Sequence, residues 1–422
     1  MILPEYPPLW SAEVEARVCE LRPQDTQLTA LPKEVRFCKK CVVSNQRPRI
    51  VFDDEGVCSA CRYKERMAAF DGWAERKAEL SALLEKHRRK AGYDCIVPTS
   101  GGKDSGPIAH KLRHDWGMNP LAVKWAPFGY TDIGYKNFQS FVHSGFDCLT
   151  CFPNGFILRK LARLAFEVLG DAWQPFAYGQ MFYALHMSHR FGIPLVFFGE
   201  NGEAEYGGDP SANDKPCWDY DDWERVYYKG AGVNKLVDIG IECGAFTEDE
   251  RRYVSEFYSL PPMDFLKGTE VHWWAYYNPW HPQGNYYYAT EHTGFEANPE
   301  GRSEGTYSKY ASLDHRMDGF HYYLAFLKFG IGRCTSDAAH EIRDGEITRE
   351  EGVALVHRFD GEFPGRHFPE FLAYHGMTAE HFHDACDRWR RPEIWNGKTL
   401  RHPVTCPSPS ASSPVWISRR RT

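Results

Sequence analysis

The sequence predicts an α/β fold, a doubly wound parallel sheet with an N-terminal zinc ribbon and a mainly helical C-terminal region. From Tyr93 onward, short apolar runs alternate with helical stretches, an order typical of parallel sheets. Two Cys-x2-Cys pairs precede this alternation. Beyond about residue 211 the alternation stops, and the chain becomes rich in aromatic residues with helical spacing.

The 422 residues exceed one ordinary domain, so we expect several segments. The start of the chain is rich in proline and charge, and its end is rich in proline and serine. In chain order, the predicted segments are an N-terminal extension (1–31), a zinc ribbon (32–66), a linking helix (67–92), a nucleotide-binding core (93–210), a helical and aromatic substrate region (211–402) and a disordered tail (403–422).

The zinc ribbon is predicted from the spacing of Cys38, Cys41, Cys58 and Cys61. Sixteen residues separate the two pairs, which is within the range of four-thiolate zinc sites. Four thiolates leave no open coordination position, so the predicted role is structural. An iron–sulfur cluster and unliganded thiols remain alternatives. A third such pair, Cys148 and Cys151, has no second pair to complete a site, and we interpret it as coincidence.

Four apolar runs are the predicted strands of the sheet: 94–98, 121–127, 146–152 and 194–199. The first run ends in Thr99-Ser-Gly-Gly-Lys-Asp-Ser105, and a helix follows with apolar residues four apart. Adjacent glycines let backbone N–H groups turn toward an anion, and the helix N-terminus adds partial positive charge. The predicted phosphate-binding residues are Ser100, Gly101, Gly102, Lys103, Asp104 and Ser105, and Lys103, Asp104 and Ser105 are the predicted catalytic residues.

The ends of other predicted strands add candidates, because ligands of doubly wound sheets bind at the carboxyl ends of the strands. Lys124 and Trp125 end the second strand, where backbone groups can recognise adenine. After the fourth strand, carboxylates lie between glycines and are candidate Mg²⁺ or substrate ligands. A solvated acidic turn is the alternative, which explains Glu205 equally well and Glu200 less well. These candidates are Gly199, Glu200, Asn201 and Glu203.

The string Ser100 to Ser105 resembles the PP-loop of the ATP pyrophosphatase superfamily, which cleaves ATP between its α and β phosphates. Over roughly residues 35–400 the chain resembles the N-acetyl sugar amidotransferases of bacterial surface-polysaccharide and flagellar sugar biosynthesis. The segments that carry this resemblance are 36–38, 97–105, 125–127, 130–134, 143–147, 198–208, 291–295, 298–313 and 328–333. Departures from the family pattern lie mainly at both termini and at scattered positions such as Cys148 and Cys151.

The resemblance implies an ATP- and Mg²⁺-dependent enzyme that adenylates the acetamido oxygen of a nucleotide-linked N-acetyl sugar. Ammonia then replaces AMP and leaves an acetamidino group. Because nothing in the chain resembles a glutaminase module, we expect a separate glutaminase partner to supply ammonia.

The resemblance also suggests residues for the sugar and its phosphates. Predicted substrate contacts are Glu203, Tyr288, Glu291, His292, Arg302, Ser303, Glu304 and Lys309, with residues 286–288 available for ring stacking. Lys328 and Arg333 are predicted to bind phosphates of ATP or of the nucleotide sugar. The simpler alternatives are that His292 lies under a loop with its hydrogen bonds made within the protein, and that Lys328 and Arg333 belong to a solvated helix end.

The formal net charge is −7, and the basic runs are short, which disfavours a nucleic-acid partner. The sequence starts without a basic, apolar leader, and its apolar runs are shorter than the roughly 20 residues of a membrane span, so we expect a cytoplasmic protein. The main competing hypothesis is a tRNA-modifying thiolation enzyme with a PP-loop. A third is an ATP-binding scaffold subunit of a polysaccharide assembly.

Overall fold

A computed structural model describes residues 5–218, 226, 228, 229 and 231–395 of the chain. The predicted disordered tail, 403–422, lies outside the described residues. The division into segments therefore stays a prediction for the tail, and no other observation tests the boundaries.

The centre of the protein is a five-stranded parallel sheet with the order β3-β2-β1-β4-β5. The strands are β1 (Cys95–Pro98), β2 (Pro120–Trp125), β3 (Cys148–Cys151), β4 (Leu195–Phe198) and β5 (Glu270–Trp273). The parallel α/β sheet is confirmed. The fifth strand lies in the segment that we expected to be mainly helical, so the sheet draws on both sides of the boundary at residue 210.

Helices surround this sheet and form most of the remaining chain. They are α1 (Ala12–Cys19), α2 (Ser59–Ala68), α3 (Trp73–His87), α4 (Ser105–His114), α5 (Asp132–His143), α6 (Gly155–Leu169), α7 (Gln174–Phe191), α8 (Gly202–Tyr206), α9 (Val233–Glu242), α10 (Glu248–Phe257), α11 (Trp274–Tyr277), α12 (Pro282–His292), α13 (Asp318–Phe329), α14 (Arg333–Asp344), α15 (Arg349–Phe359), α16 (Phe368–His375) and α17 (Ala379–Arg388). Short 3-10 turns cover Thr26–Ala30, Pro210–Ala212, Met263–Leu266 and Gly365–His367.

The two faces of the sheet bury alternate residues of the strands, as the two-residue period of a strand requires. Ile96 and Val196 lie in one core with residues of α7, which packs across β1, β2 and β4. Cys95 and Val97 lie in a second core with residues of α4. Both faces are therefore covered, which explains why the strands are apolar runs and lack a polar alternation.

The strand order places a topological switch point next to β1. The chain leaves β1 toward β2 on one side, whereas β4 pairs with the other side of β1. In open α/β sheets the crevice at such a point, outside the carboxyl ends of the strands, is where ligands bind. Here the crevice lies between the segments that follow β1 and β4.

The segment that carries the four cysteines, residues 38–61, is called the cysteine hairpin here, and it packs against the C-terminal helices. Its buried thiols share a core with Phe329, Ile331, Ala338 and Val356. The guanidinium of Arg349 also donates to the carbonyl oxygen of Cys41 at 3.2 Å. The hairpin is thus part of the main body of the protein, although it lies far from these helices along the chain.

Within the described part of the chain, every helix is too short or too polar to cross a bilayer.

Candidate active site and metal centre

The loop between β1 and α4, residues 99–104, is held tightly against α5. Gly101 has φ +79°, and a Cβ atom there would lie 2.6 Å from the Cα of Phe138. The backbone N–H of Gly101 donates to the hydroxyl of Thr99 at 2.9 Å, and that hydroxyl is 2.8 Å from the hydroxyl of Ser105. Only glycine fits at this close backbone approach, which explains the first glycine of the pair.

The charged groups of the loop lie side by side. The ammonium of Lys103 is 2.8 Å and 2.6 Å from the two carboxylate oxygens of Asp104, and the side chain of Lys103 is 11% exposed. The amide of Asn285 is 3.5 Å from the same carboxylate. Backbone N–H groups, a lysine and a helix N-terminus are therefore present together, which is a combination that can bind phosphate.

Lys124 supports the loop with its side chain, whereas the sequence suggested a contact from its backbone. The side chain is buried, and its ammonium donates to the carbonyl oxygen of Ser100 at 2.7 Å. The rings of Phe138 and Tyr130 lie 4.0 Å and 4.8 Å from that ammonium. Burial lowers the pKa of Lys124 to about 8. The side chain of Lys124 thus makes a structural contact beneath the loop, and the adenine contact of its backbone stays a prediction.

Trp125, the last residue of β2, is buried against α7. A Cβ atom at Gly179 would lie 2.1 Å from the indole ring, so a glycine is required where the helix meets the ring. The ring also makes an edge contact with Tyr258 at 5.2 Å between centroids. Trp125 therefore forms part of the wall of the crevice.

The segment after β4 contributes the half-buried carboxylate of Glu200 to the crevice. Burial, together with the nearby carboxylate of Asp104, raises the pKa of Glu200 to about 7. The hydroxyl of Tyr206 donates to Glu200 at 3.3 Å. The carbonyl oxygen of Gly199 accepts from the backbone N–H of Ala275, which fixes the start of the turn. The carboxylate of Asp104 thus disfavours a charged Glu200.

Asn201 and Glu203 were predicted to bind the cofactor and the substrate, but their side chains bind other residues of the protein. The side chain of Asn201 accepts from the backbone N–H of Glu203 and begins α8. The carboxylate of Glu203 forms two 2.8 Å hydrogen bonds with the guanidinium of Arg49 in the cysteine hairpin. Both side chains are buried and fully engaged in these contacts, so their assignment as cofactor and substrate ligands is corrected.

Two clefts meet at the β1–α4 loop, and a third adjoins one of them. The inner cleft, about 240 Å³, lies between the ends of β1, β2 and β4 and is walled by Trp125, Tyr183 and Phe198. The loop cleft, about 170 Å³, shares Ser100, Gly102, Asp104 and Asp314 with the inner cleft. The outer cleft, about 420 Å³, shares Ser312 and Leu313 with the loop cleft. The loop therefore lies in the middle of one continuous crevice.

Of the two cations predicted near phosphate, one lines the crevice. The guanidinium of Arg333 lines the loop cleft and is 3.0 Å from Asp337. Lys328 is buried elsewhere, and its ammonium donates to Asp25 and to the carbonyl oxygen of Leu169, both at 2.7 Å. The proposed phosphate contact of Lys328 is corrected, because a buried and doubly bonded ammonium cannot reach a ligand.

Part of the predicted sugar site lines the outer cleft, namely Arg302, Ser303 and Glu304. Arg302 forms a two-bond ion pair with Glu362 at 2.6 Å and 2.8 Å. Ser303 donates to the carbonyl oxygen of Ala311 at 2.9 Å. These three residues are thus close to the loop by way of the loop cleft. Lys309 is exposed and is not among the residues that line the clefts.

The other predicted substrate residues, Tyr288, Glu291 and His292, lie outside the clefts on α12. The hydroxyl of Tyr288 is 2.9 Å from a ring nitrogen of His110 on α4. His292 stacks on His110 at 4.9 Å between ring centroids, and the Glu291 side chain is 76% exposed. Tyr288 and His292 thus join α12 to α4, and the contact of these three residues with the sugar stays a prediction.

The four cysteine sulfurs can hold a single metal ion. All are buried, and their Sγ atoms lie within 4.8 Å of one another. The distances are 3.8 Å from Cys38 to Cys61 and 3.7 Å from Cys41 to Cys58. A tetrahedral zinc ion with Zn–S bonds of about 2.3 Å separates its sulfurs by about 3.8 Å. Backbone N–H groups of Cys41 and Cys58 also point at the sulfur of Cys38. The donor set fits zinc and leaves too little space for a multi-iron cluster.

Several residues of the crevice escaped the sequence analysis. Tyr310, Asp314 and Asp318 line the loop cleft, and Arg316 and Arg366 line the outer cleft. Tyr310 lies inside the segment 298–313 that carried the family resemblance, which was a usable signal. No comparable signal marked the other four, because they approach the loop only through the fold.

The fold and the site together define a class, an α/β protein with a glycine-containing loop at the switch point of a parallel sheet and a cluster of four cysteines that could hold a metal ion. Residues 304–404 match the family described as LPS biosynthesis protein WbpG-like, C-terminal domain. This match supports a role in polysaccharide biosynthesis. A comparison with curated proteins gives no match.

Proposed function

We propose that this chain is an ATP-dependent amidotransferase that converts the acetamido group of a nucleotide-linked sugar into an acetamidino group. The observation that carries the proposal is the position of the β1–α4 loop. It stands at the switch point with an aromatic-walled cleft on one side and polar clefts on the other. The match to the WbpG-like family covers residues 304–404, which include part of the lining of the two polar clefts. It supports a sugar of surface polysaccharide biosynthesis as the substrate.

ATP fits the inner cleft with its phosphates on the loop. Trp125, Tyr183 and Phe198 offer apolar surface for a base, and Ser100, Gly102 and Ser105 lie toward the phosphates. Lys103 lines the loop cleft, where it would neutralise the outer phosphates. A nucleotide in this pose turns its α-phosphate toward the loop cleft, where the sugar amide would lie.

The carboxylates of Asp104 and Glu200 fit a magnesium ion bound with the phosphates. They are hard oxygen ligands, and their mutual repulsion raises the pKa of Glu200 beyond the effect of burial. Bound Mg²⁺ would neutralise charge on the departing pyrophosphate. The protein holds these two carboxylates in the segments that follow the neighbouring strands β1 and β4.

The chemistry has two steps. First, the amide oxygen forms a bond to the α-phosphorus, the bond between the α-phosphorus and the bridging oxygen breaks, and pyrophosphate leaves with the electron pair while the amide N–H proton passes to water. Next, ammonia forms a C–N bond at the activated carbon and gives one proton to the sugar nitrogen. The C–O bond to AMP then breaks, which leaves the amidinium. Positioning the amide against the α-phosphate supplies much of the rate.

The remaining expectations belong to the proposal. Ammonia is supplied by a separate glutaminase, and the enzyme works in the cytoplasm on a nucleotide-linked sugar, with neither nucleic acid nor membrane as partner. The competing thiolation reaction needs a reactive cysteine near the site. Burial raises the pKa of both Cys148 and Cys151, which keeps these thiols protonated and argues against that role.

The test mixes the protein with Mg-ATP, ammonium and a panel of nucleotide-linked acetamido sugars and follows the sugars by mass spectrometry. We expect one sugar to exchange an oxygen for NH, with release of AMP and pyrophosphate. Lys103→Ala and Asp104→Ala should lower this activity by about a hundredfold or more, as removal of a preorganised charged contact does. Lys267→Ala, at an exposed lysine that lines none of the three clefts, is the matched control and should be active. AMP release that depends on tRNA, and not on any acetamido sugar, would contradict the proposal.

A further inference from the structure

A small acidic pocket lies behind Lys103, away from the inner cleft. It holds about 30 Å³ and is lined by Asp337, Glu341 and Asp344 of α14 and by Glu346 just beyond that helix. The three helical residues are spaced four and three apart, so they share one face of α14. The volume suits one water-sized occupant. A pocket of this size with four carboxylates selects a small cation.

A second observation points to an occupant. His340 also lines the acidic pocket and is 5% exposed, yet its Nε2 atom has no hydrogen-bond partner among the described residues. Burial, with the charges of Arg343 and Lys64, holds the pKa of His340 well below its usual value. The imidazole is therefore neutral and can accept a hydrogen bond. A buried polar nitrogen is rarely left without a partner.

The charges around the acidic pocket are incompletely balanced. Asp337 pairs with Arg333, Asp344 pairs with Lys64, and Glu346 is 3.3 Å from a ring nitrogen of His281. Glu341 accepts a hydrogen bond from the hydroxyl of Tyr307 at 2.6 Å, and no described cation lies within ion-pair distance of it. Burial and the three neighbouring carboxylates raise the pKa of Glu341 to about 7. Glu341 is therefore the carboxylate of this pocket that a bound cation would balance.

The acidic pocket adjoins the loop cleft at two cationic side chains. Lys103, Tyr310 and Arg333 line both this pocket and the loop cleft. The ammonium and the guanidinium repel a cation that moves from the carboxylates toward the loop cleft. A neutral molecule of the same size passes without that barrier.

We propose that the acidic pocket binds ammonium and that Glu341 removes its proton, so that neutral ammonia enters the loop cleft. The inference rests on the proposed function. The step balances: the Glu341 carboxylate takes one proton from NH₄⁺, which leaves NH₃ and a carboxylic acid. The ammonia lone pair then attacks the activated carbon, and Glu341 returns its proton to water. Hydrogen-bond acceptors at Asp337 and at His340 Nε2 complete the binding of the ion.

The first test locates the ion without turnover. Crystals of the protein are soaked in thallium(I), a monovalent cation close in size to ammonium with strong anomalous scattering. We expect an anomalous peak between Glu341 and His340, lost when excess ammonium is added and kept when Mg²⁺ is added. An empty pocket, or a peak displaced by Mg²⁺ and not by ammonium, would overturn the proposal.

The second test separates ammonia use from adenylation with the variant Glu341→Gln, which keeps the size of the side chain and its contact with Tyr307. The KM for ammonium should rise about tenfold or more, whereas the KM for ATP and the sugar-dependent exchange of pyrophosphate into ATP should stay unchanged. Glu350→Gln, at an exposed glutamate of α15, is the control. An unchanged KM for ammonium, or a parallel loss of exchange, would refute the role of Glu341. Absence of exchange in the unaltered protein would instead refute the proposed function, and the thallium result would still stand.

Discussion

Lys124 offers a sharp test, because its replacement should lower activity strongly while the free energy of unfolding changes little. In Lys124→Met the apolar stem between Phe138 and Tyr130 is kept, and the hydrogen bond from the ammonium to the Ser100 carbonyl is lost. Loss of a hydrogen bond from a charged group costs about 1.5–3 kcal/mol. If the loop needs this contact to bind ATP, kcat/KM for ATP falls by about ten- to a hundredfold.

The effect on stability follows from the pKa of Lys124. Burial lowers this pKa from 10.5 to about 8, and each unit is worth about 1.4 kcal/mol, so the buried charge costs about 3 kcal/mol at neutral pH. The side chain is 2% exposed, so water screens little of this cost. Methionine removes the cost but leaves the Ser100 carbonyl without its partner, which costs about 1–3 kcal/mol. The free energy of unfolding should therefore stay within about 2 kcal/mol of its original value.

The depressed pKa of Lys124 also predicts how the free energy of unfolding changes with pH. Because the folded protein releases the Lys124 proton at about pH 8 and the unfolded chain at 10.5, the stability of the original protein should rise with pH over that interval. The methionine variant should lack this rise. ATP kinetics and urea unfolding at several pH values measure both effects, with Lys267→Met, at an exposed lysine, as the control. A variant that unfolds easily yet has unchanged kcat/KM would refute the reasoning.

Three further predictions concern the loop and the hairpin. Gly101→Ala should lower kcat/KM for ATP more than tenfold, because the new Cβ atom would clash with the backbone of α5. Gly92→Ala is the control: its φ of +82° causes similar backbone strain, but its Cβ atom would meet no other atom, so this variant should be active in the same assay. Cys58→Ser should reduce bound zinc, by elemental analysis, to well below one ion per chain, and full zinc content would contradict the assigned site. Arg49→Met leaves the buried Glu203 carboxylate without its ion-pair partner and should lower the free energy of unfolding, measured by urea titration, by about 3–5 kcal/mol. A change below about 1 kcal/mol would show that this ion pair does not stabilise the fold.

The sequence alone predicted the features that depend on local pattern. Both cysteine pairs, the first four strands and the loop after Pro98 are contiguous signals, each with a physical reason for its residues. The parallel order of the sheet followed from the alternation of strands and helices. The fifth strand was missed because Glu270–Trp273 is short and lies among aromatic helical segments, so only pairing with β4 identifies it.

Long-range partners account for the errors in the candidate site. Lys328 looked like a phosphate ligand because it precedes a glycine-rich turn, but its partner Asp25 lies 303 residues away in the chain. Glu203 similarly finds Arg49 across 154 residues. Such pairs depend on the packing of distant segments and leave no local trace. Conversely, Arg302 and Ser303 line the crevice because the turn that contains them packs beside the loop.

The most direct test of the central claim follows the amide oxygen. A nucleotide-linked acetamido sugar labelled with ¹⁸O in its acetyl carbonyl is incubated with the protein, Mg-ATP and ammonium, and the products are observed by ³¹P NMR. If the loop holds the outer phosphates so that the amide oxygen attacks the α-phosphorus, the label will appear in AMP, and unlabelled pyrophosphate will accompany it. Label in orthophosphate together with ADP would contradict the account.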